Sequence, residues 1–466
     1  MRKGHFLYFY YFILAATILY SINVSAKSRY LNKVFDNVKI LRDIKYTSHN
    51  IDEYVKMDIY LPTDDNMNQR PAIIFAHGGA FLIGDKNDST IRTLCKEFAR
   101  RGYVTASINY RLAQYPSFLK MGYQAVQDGK TAVRYLKHFS YKYGIDPDYI
   151  FFGGISAGAI TALNVAYLED SEDIAGRDFK SLLGNFDYST NHYSESCKVA
   201  GVINICGGVL DLLHIDKVEN TPVISFHGTI DNIIPIDRGL PFTGYMSTYN
   251  SVARFINTLA PMEPVYGSRS IHQRLKNLNI KNKLIVFPGK GHKLLFNAEG
   301  LKMDSYDKII SSIENFLYDI LKPVTPYLSG STIVKILTSY RYAIDNPENF
   351  IAIWKVTGGR VLSKSNRDIS IEWIEDTENT ISVFLQNNLG IESKPKKMII
   401  NVTATSGKID QTNNLMADAI EKYRKRQSKK NYISSFSDSI HIKIILLVLA
   451  LCISAIFIFI GLHNPK

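Results

Sequence analysis

Cysteine is scarce: Cys95, Cys197, Cys206 and Cys452 are the four in 466 residues. Three of them precede the C-terminal apolar run, an odd number that cannot pair completely, so no disulfide framework can be read from them. For the nearest pair two readings stay open. Cys197 and Cys206 are close enough in sequence to bridge, or Cys206, which ends the apolar run beginning Gly201-Val202-Ile203, is a buried free thiol. No Cys/His spacing of a zinc site and no Walker-type phosphate loop occurs, so neither a metal nor a cofactor is expected. The net charge of +12 raises the question of nucleic acid. Much of the excess, however, sits at Lys422, Arg424, Lys425, Arg426, Lys429 and Lys430, just ahead of an uncharged run. Contact with anionic lipid headgroups is the simpler account of such a cluster, and no nucleic-acid partner is expected.

The uncharged run covers 444–461 and has membrane-spanning length, giving an expected transmembrane helix over 442–461 behind a basic stalk at 404–441. At the other end, Arg2-Lys3, an apolar stretch from Phe6 to Tyr20 and the small residues Val24-Ser25-Ala26 read as a signal peptide over 1–26. An uncleaved signal anchor is the alternative. Either way the body of the chain is expected to be exported and membrane-anchored. The basic flank runs against the positive-inside tendency, but long domains translocate despite such charge.

Between these ends lies the informative part. Gly154-Ile155-Ser156-Ala157-Gly158 follows the strand-like run Asp148-Tyr149-Ile150-Phe151-Phe152 and precedes an apolar helical run from Ile160 to Leu168. In that setting Gly-x-Ser-x-Gly forms a sharp turn that exposes a nucleophilic hydroxyl, the glycines leaving room where a Cβ would strike strand or helix. His77-Gly78-Gly79-Ala80-Phe81 follows the apolar strand Ala72–Ala76. Asp231 closes His227-Gly228-Thr229-Ile230-Asp231 after Pro222–Phe226, and His292 follows Leu284–Pro288 and a Gly-Lys-Gly loop. Singly, each has a plain explanation as a turn, a cap or a structural histidine. Together they stand just past the carboxyl ends of four apolar runs, where open parallel sheets gather catalytic groups.

The alternation of elements agrees. Two antiparallel strands are expected between Val38 and Pro62. Strands at 72–77, 103–110, 200–206, 222–227 and 283–288 then alternate with helices near 90–101, 122–138 and 305–321. The expected fold class is α/β, a mostly parallel sheet covered on both faces, over 27–322. Polar stretches at 169–197 and 238–265 leave lid and surface loop equally open. Beyond Pro323, residues Phe350, Ala352, Trp354 and Val356, then Ile369, Ile371 and Trp373, then Ile381, Val383 and Leu385, then Met398, Ile400 and Val402, alternate as in a small antiparallel sandwich over 326–403. No cluster of His, Asp, Glu or Cys there suggests chemistry.

With these residues the chain resembles the α/β-hydrolase superfamily, in particular bacterial carboxylesterases of the feruloyl and acetyl-xylan esterase group. The likeness runs over about 35–322 and includes Asn109-Tyr110-Arg111-Leu112, Gly144-Ile145-Asp146-Pro147 and Val223–Gly228. The resemblance implies Ser156 as nucleophile, His292 as base and Asp231 as acid, with backbone amides of Gly78, Gly79, Ala80 and Ala157 as the oxyanion hole. It implies a small-molecule or glycan-linked ester as substrate. The sandwich is similar to a PKD-like, immunoglobulin-type domain, through Trp354–Gly359 and Ile371–Trp373, serving as spacer or as binder of glycans or partners. A serine peptidase is one alternative, although nothing of the size of a gating propeller precedes residue 72. A non-catalytic adhesion protein with a hydrolase-like body is the other.

Overall fold

The computed structural model of the protein describes residues 29–47, 54–112, 117–169, 179–186, 191–216, 220–242, 263–346, 349–374 and 378–403. The expected signal peptide, stalk and membrane helix lie outside these residues. Among the described residues no helix is long and apolar enough to cross a membrane. The chain divides into two compact units, one running to Pro323 together with Asn388–Ile391, the other taking up the rest from Val324.

The first unit is built on eight strands: β1 Val38–Lys45, β2 Lys56–Pro62, β3 Arg70–Ala76, β4 Val104–Ile108, β5 Ile145–Ile155, β6 Gly201–Ile205, β7 Val223–Gly228 and β8 Asn282–Phe287. They form one sheet in the order β1-β2-β4-β3-β5-β6-β7-β8. The pairs β1–β2 and β2–β4 are antiparallel and every later pair is parallel, as the sequence pattern led one to expect. The central strands are buried from end to end because both faces are covered, which is why they read as continuous apolar runs.

Four longer helices do the covering: α1 Ser89–Ala99, α2 Phe118–His138, α3 Ala157–Tyr167 and α4 Tyr306–Leu321. Side chains alternate between faces along each strand. Ile74 and Phe152 therefore join the core with α2 and α3, while Ile73, Phe75, Phe151 and Ile203 join the core with α1 and α4. The Asp88 carboxylate caps α1 by accepting from the amides of Thr90 and Ile91, and Ser117 caps α2. A helix absent from the sequence reading, α5 over Ser268–Asn277, follows the short strand Val265–Gly267.

The second unit is two four-stranded sheets sharing one core. The first joins Leu328–Ser329, Ser339–Ile344, Asp368–Trp373 and Gly359–Lys364, and the second Ile333–Lys335, Lys396–Thr403, Asn379–Gln386 and Ile351–Thr357. The expected antiparallel pairing needs one correction: Ile333–Lys335 runs parallel to Lys396–Thr403. Trp373 is fully buried at the centre and donates its indole N–H to the Tyr342 hydroxyl at 2.9 Å.

Candidate active site

The strand registers place the candidate residues along one edge of the sheet. Ala76 pairs with Gly154, Gly154 with Asn204 and Asn204 with Ser225, so β3, β5, β6 and β7 end nearly level. Ser156 stands one residue past β5 and immediately before α3, with φ 56° and ψ −121°. That left-handed backbone is costly for a residue with a Cβ and is held by its surroundings. Its N–H donates to the Ile205 carbonyl at 2.9 Å, and its own carbonyl accepts from Ala159 and Ile160. The flanking glycines have the role expected of them. A Cβ on Gly154 would lie 2.2 Å from the Gly158 backbone, and one on Gly158 would lie 2.1 Å from the Ala76 oxygen.

Gly78, Gly79 and Ala80 form the loop after β3. A Cβ on Gly78 would sit 3.4 Å from the Ser156 Cβ, so this loop runs directly beside the serine. Gly79, Ala80 and Phe81 all have positive φ, at 110°, 55° and 62°. The loop is anchored from behind: the His77 ring stacks on Tyr110 with centroids 4.4 Å apart, and the Tyr110 hydroxyl donates to the His77 carbonyl at 2.7 Å. Burial pushes the His77 imidazole below its usual value, which leaves it neutral. Its Nδ1 lies 2.6 Å from the Gly78 carbonyl, and as a neutral donor there it holds that oxygen on the Tyr110 side. In a trans peptide the N–H points the opposite way, so the Gly79 N–H is turned from Tyr110. Ala157, the first residue of α3, follows the serine directly.

Asp231 and His292 come together as expected. The His292 Nδ1 lies 2.7 Å from Asp231 Oδ2, and the Asp231 side chain is wholly buried. Burial would raise the Asp231 carboxyl, but hydrogen bonds from His227 and His292 outweigh it and hold the group well below the usual carboxylate range. The other oxygen, Oδ1, accepts from the backbone N–H groups of Ile233 and Ile234. His292 Nε2 is buried and makes no hydrogen bond, so the structure joins Asp231 to His292 without closing a hydrogen bond to Ser156. The histidine loop packs tightly on β7: a Cβ on Gly228 would strike the Lys290 carbonyl at 2.2 Å.

Two neighbours of Asp231 escaped the sequence reading. His227, fully buried at the end of β7, places Nε2 3.2 Å from Asp231 Oδ2. The Cys206 thiol, also buried, lies against the same carboxylate and is pushed up by burial. Cys206 and Cys197 form no disulfide with each other. Cys206, His227 and Asp231 bring ligand-type atoms within 4.8 Å of one another. These atoms already serve one another and His292, and the arrangement reads as a hydrogen-bonded cluster. The spacing His227 to Asp231, with the histidine at the last turn of a buried strand, was the signal available.

Ser156, Ala157 and Ala80 open on a cavity of about 100 Å³. Its wall is mostly apolar, with Phe81, Phe118, Val126, Ile160, Val209 and Phe242 among the residues facing it. The loop stretch 238–265 contributes Pro241, Phe242, Glu263 and Val265, so its two described ends are wall rather than remote surface.

The BD-FAE family profile matches residues 57–221, which holds Ser156 and the Gly78–Ala80 loop but stops short of Asp231 and His292. The chain is similar to a "Probable isoprenylcysteine alpha-carbonyl methylesterase" of Arabidopsis thaliana, 25% identical over 274 residues, covering 53% of this chain and 50% of that protein. It is also similar to the human "Arylacetamide deacetylase-like 2", 28% identical over 162 residues, covering 30% of this chain and 39% of that protein. The chain thus spans half or less of the length of these two relatives. Among solved structures, the apo form of Thermogutta terrifontis esterase 2 is 20% identical with a TM-score of 0.41, covering 62% of this chain and 96% of that one. The Arabidopsis relative and the Thermogutta structure carry esterase names, and the human relative a deacetylase name.

Proposed function

We propose that the protein is a serine carboxylic ester hydrolase. The observation that carries this reading is the His292–Asp231 pair at the same sheet edge as a serine held at positive φ beside a glycine loop. A serine hydroxyl is a weak nucleophile at neutral pH, so His292 takes its proton through Nε2 as the attack occurs. Asp231 accepts from Nδ1, which keeps Nε2 the basic nitrogen, and stabilises the imidazolium that forms. The tetrahedral oxyanion then lies toward the amides of Gly78, Gly79, Ala80 and Ala157, each aligned donor being worth on the order of 3 kcal/mol in the transition state. The intermediate collapses by breaking the ester C–O bond as His292 gives its proton to the departing alcohol. Water, deprotonated by His292, then cleaves the acyl-enzyme, and His292 returns the proton to Ser156.

The apolar lining of the cavity favours an ester whose acyl or alcohol part next to the serine is apolar. The finer likeness to feruloyl and acetyl-xylan esterases, the PKD-like character of the sandwich, and an exported, membrane-anchored location remain part of the proposal. They rest on the sequence patterns described first. The test of function is hydrolysis of p-nitrophenyl acetate and butyrate by the protein beside Ser156→Ala. Activity lost by several powers of ten in a folded variant supports the reading. Equal background rates in both overturn it.

A further inference from the structure

The carboxylate beside His292 also faces a second histidine, His227, and a chain of buried groups bears on which of its ring nitrogens donates. The chain starts at a backbone donor. The Gly207 N–H donates to Asn204 Oδ1 at 2.9 Å, which fixes the amide the right way round and turns Nδ2 toward Ser225 at 3.0 Å and Ser268 at 3.1 Å. Ser268 Oγ therefore accepts from Asn204, and its own hydrogen is free to go to His227 Nδ1, 2.7 Å away. With Nδ1 an acceptor, neutral His227 carries its proton on Nε2. That N–H faces two acceptors, the Ile234 carbonyl at 2.9 Å and Asp231 Oδ2 at 3.2 Å. Asn204, Ser268 and His227 are all fully buried, so water does not compete for these bonds.

We infer that His227, set by Ser268 and Asn204, is a positioning residue for the reaction: it donates to the same Asp231 oxygen that receives His292. The inference rests on the roles of Asp231 and His292 proposed above. Two effects follow. The donor fixes the carboxylate in the plane that meets His292 Nδ1. It also shares the negative charge, so the carboxylate stabilises a protonated His292 less than it would alone. Among the described residues the titratable groups facing this carboxylate are His292, His227 and the Cys206 thiol. Of these only His227 and the thiol are positioned to moderate what His292 feels.

The test uses the full chain with His227→Phe, His227→Gln and Ser268→Ala. Glutamine retains an N–H near the place of Nε2, whereas phenylalanine fills the space without one. In His227→Phe, kcat for p-nitrophenyl butyrate should fall about ten- to hundredfold, the scale of losing a group that orients a reacting side chain, while KM changes little. The acid limb of its pH–rate profile should move to higher pH by about one unit, since the carboxylate loses a donor. His227→Gln should restore both toward the parent values, and Ser268→Ala should shift the limb the same way by less. An acid limb unmoved in every folded variant overturns the proposal, as does an equal loss of rate in His227→Phe and His227→Gln. Titration of the His292 ring by NMR, in protein with carbon-labelled histidine, reads the same coupling without turnover. Should the parent protein hydrolyse no ester, the functional reading falls, and that titration still decides whether His227 governs the Asp231–His292 pair. If His227→Phe does not fold, the titrations of His227→Gln and Ser268→Ala decide it, an unmoved Ser268→Ala curve counting against.

Discussion

Gly158→Ala separates the close-packing account of this site from ordinary helix energetics, because the two predict opposite signs. Gly158 is the second residue of α3. Glycine to alanine inside a helix normally stabilises by up to about 1 kcal/mol. Here the added Cβ would lie 2.1 Å from the Ala76 oxygen and 2.6 Å from both the Ala76 carbon and the His77 oxygen. All three are backbone atoms, so no rotamer change relieves the clash. Reaching an ordinary contact of about 3.4 Å from 2.1 Å requires an opening of about 1.3 Å between α3 and the end of β3. That movement separates Ser156 from the Gly78–Ala80 loop, the two elements that the proposed reaction aligns. The expected cost is about 2–3 kcal/mol in urea unfolding, as for an overpacked core. A displacement of this size should also lower kcat for p-nitrophenyl butyrate by about a hundredfold or more. A variant that is more stable than the parent and hydrolyses the ester at the same rate would refute the reasoning.

Three further changes probe separate parts of the molecule. Ser156→Gly relieves the positive-φ strain at the serine and should melt a few degrees higher than Ser156→Ala, which retains the strain, both being inactive by calorimetry and ester assay. An identical melting temperature in the two would remove strain from the account. Gly122→Leu puts a side chain into the cavity from α2, where a Cβ has only the Phe81 ring near it at 3.8 Å. The butyrate-to-acetate ratio of kcat/KM should fall by about tenfold, and an unchanged ratio would place the acyl chain elsewhere. Asp65 receives Arg29 at 3.0 and 2.6 Å and Arg70 at 2.7 Å. Burial works to raise this carboxyl, yet the hydrogen bonds from Arg29 and Arg70 leave it lowered. A depressed carboxyl contributes stability above its unfolded value of about 3.9 and loses it as pH falls through the lower folded value. Asp65→Asn should therefore destabilise by about 2 kcal/mol at neutral pH, with the gap to the parent closing below about pH 4. A gap of the same size in acid would contradict the ion-pair explanation.

What the sequence disclosed, and what it withheld, follows from where side chains lie. The strands β3, β6 and β7 are buried from end to end and β5 over Ile150–Gly154, so their apolar runs are unmistakable, and residues placed just beyond such runs were readable as site candidates. Ser156 and Asp231 became candidates this way, while His292 was marked by the apolar run Leu284–Phe287 of the edge strand β8, which is only partly buried. Helix α5 was not, because only Ser268, Ile271 and Leu275 are buried along it and the rest is polar. Missing α5 hid Ser268, and without Ser268 nothing in the sequence marks His227 as more than a strand-end histidine. In the second unit, Asp368–Trp373 alternates cleanly between buried and less buried positions, and Asn379–Gln386 does so up to the buried run Val383–Leu385, so both were legible. Gly359–Lys364 has no buried residue, so its sequence carries no alternation to read.

The backbone itself marks the same edge of the sheet. Past β3 come Ala80 and Phe81, past β5 comes Ser156 and past β6 comes Cys206, all non-glycine residues at positive φ. Each such residue costs on the order of 1–3 kcal/mol and persists only where the surrounding packing over-determines it. Elsewhere in the first unit the non-glycine residues with positive φ are scattered one at a time, at Tyr30, Asp43, Asp64, Asn220, Phe242 and Asn279. Three adjacent strands each followed within a few residues by a non-glycine residue at positive φ is a different matter. Each turn directs the chain sharply off the sheet, which brings the loop after β3 beside Ser156 and the Cys206 thiol against Asp231. The apolar cores on both faces of the sheet supply the stability that offsets the strain. The network from Gly207 to Asp231 supplies fixed directions for the polar groups within it. Rigidity at this edge is thus a product of burial, and loosening the cores under β3, β5 and β6 should impair the site before it unfolds the domain.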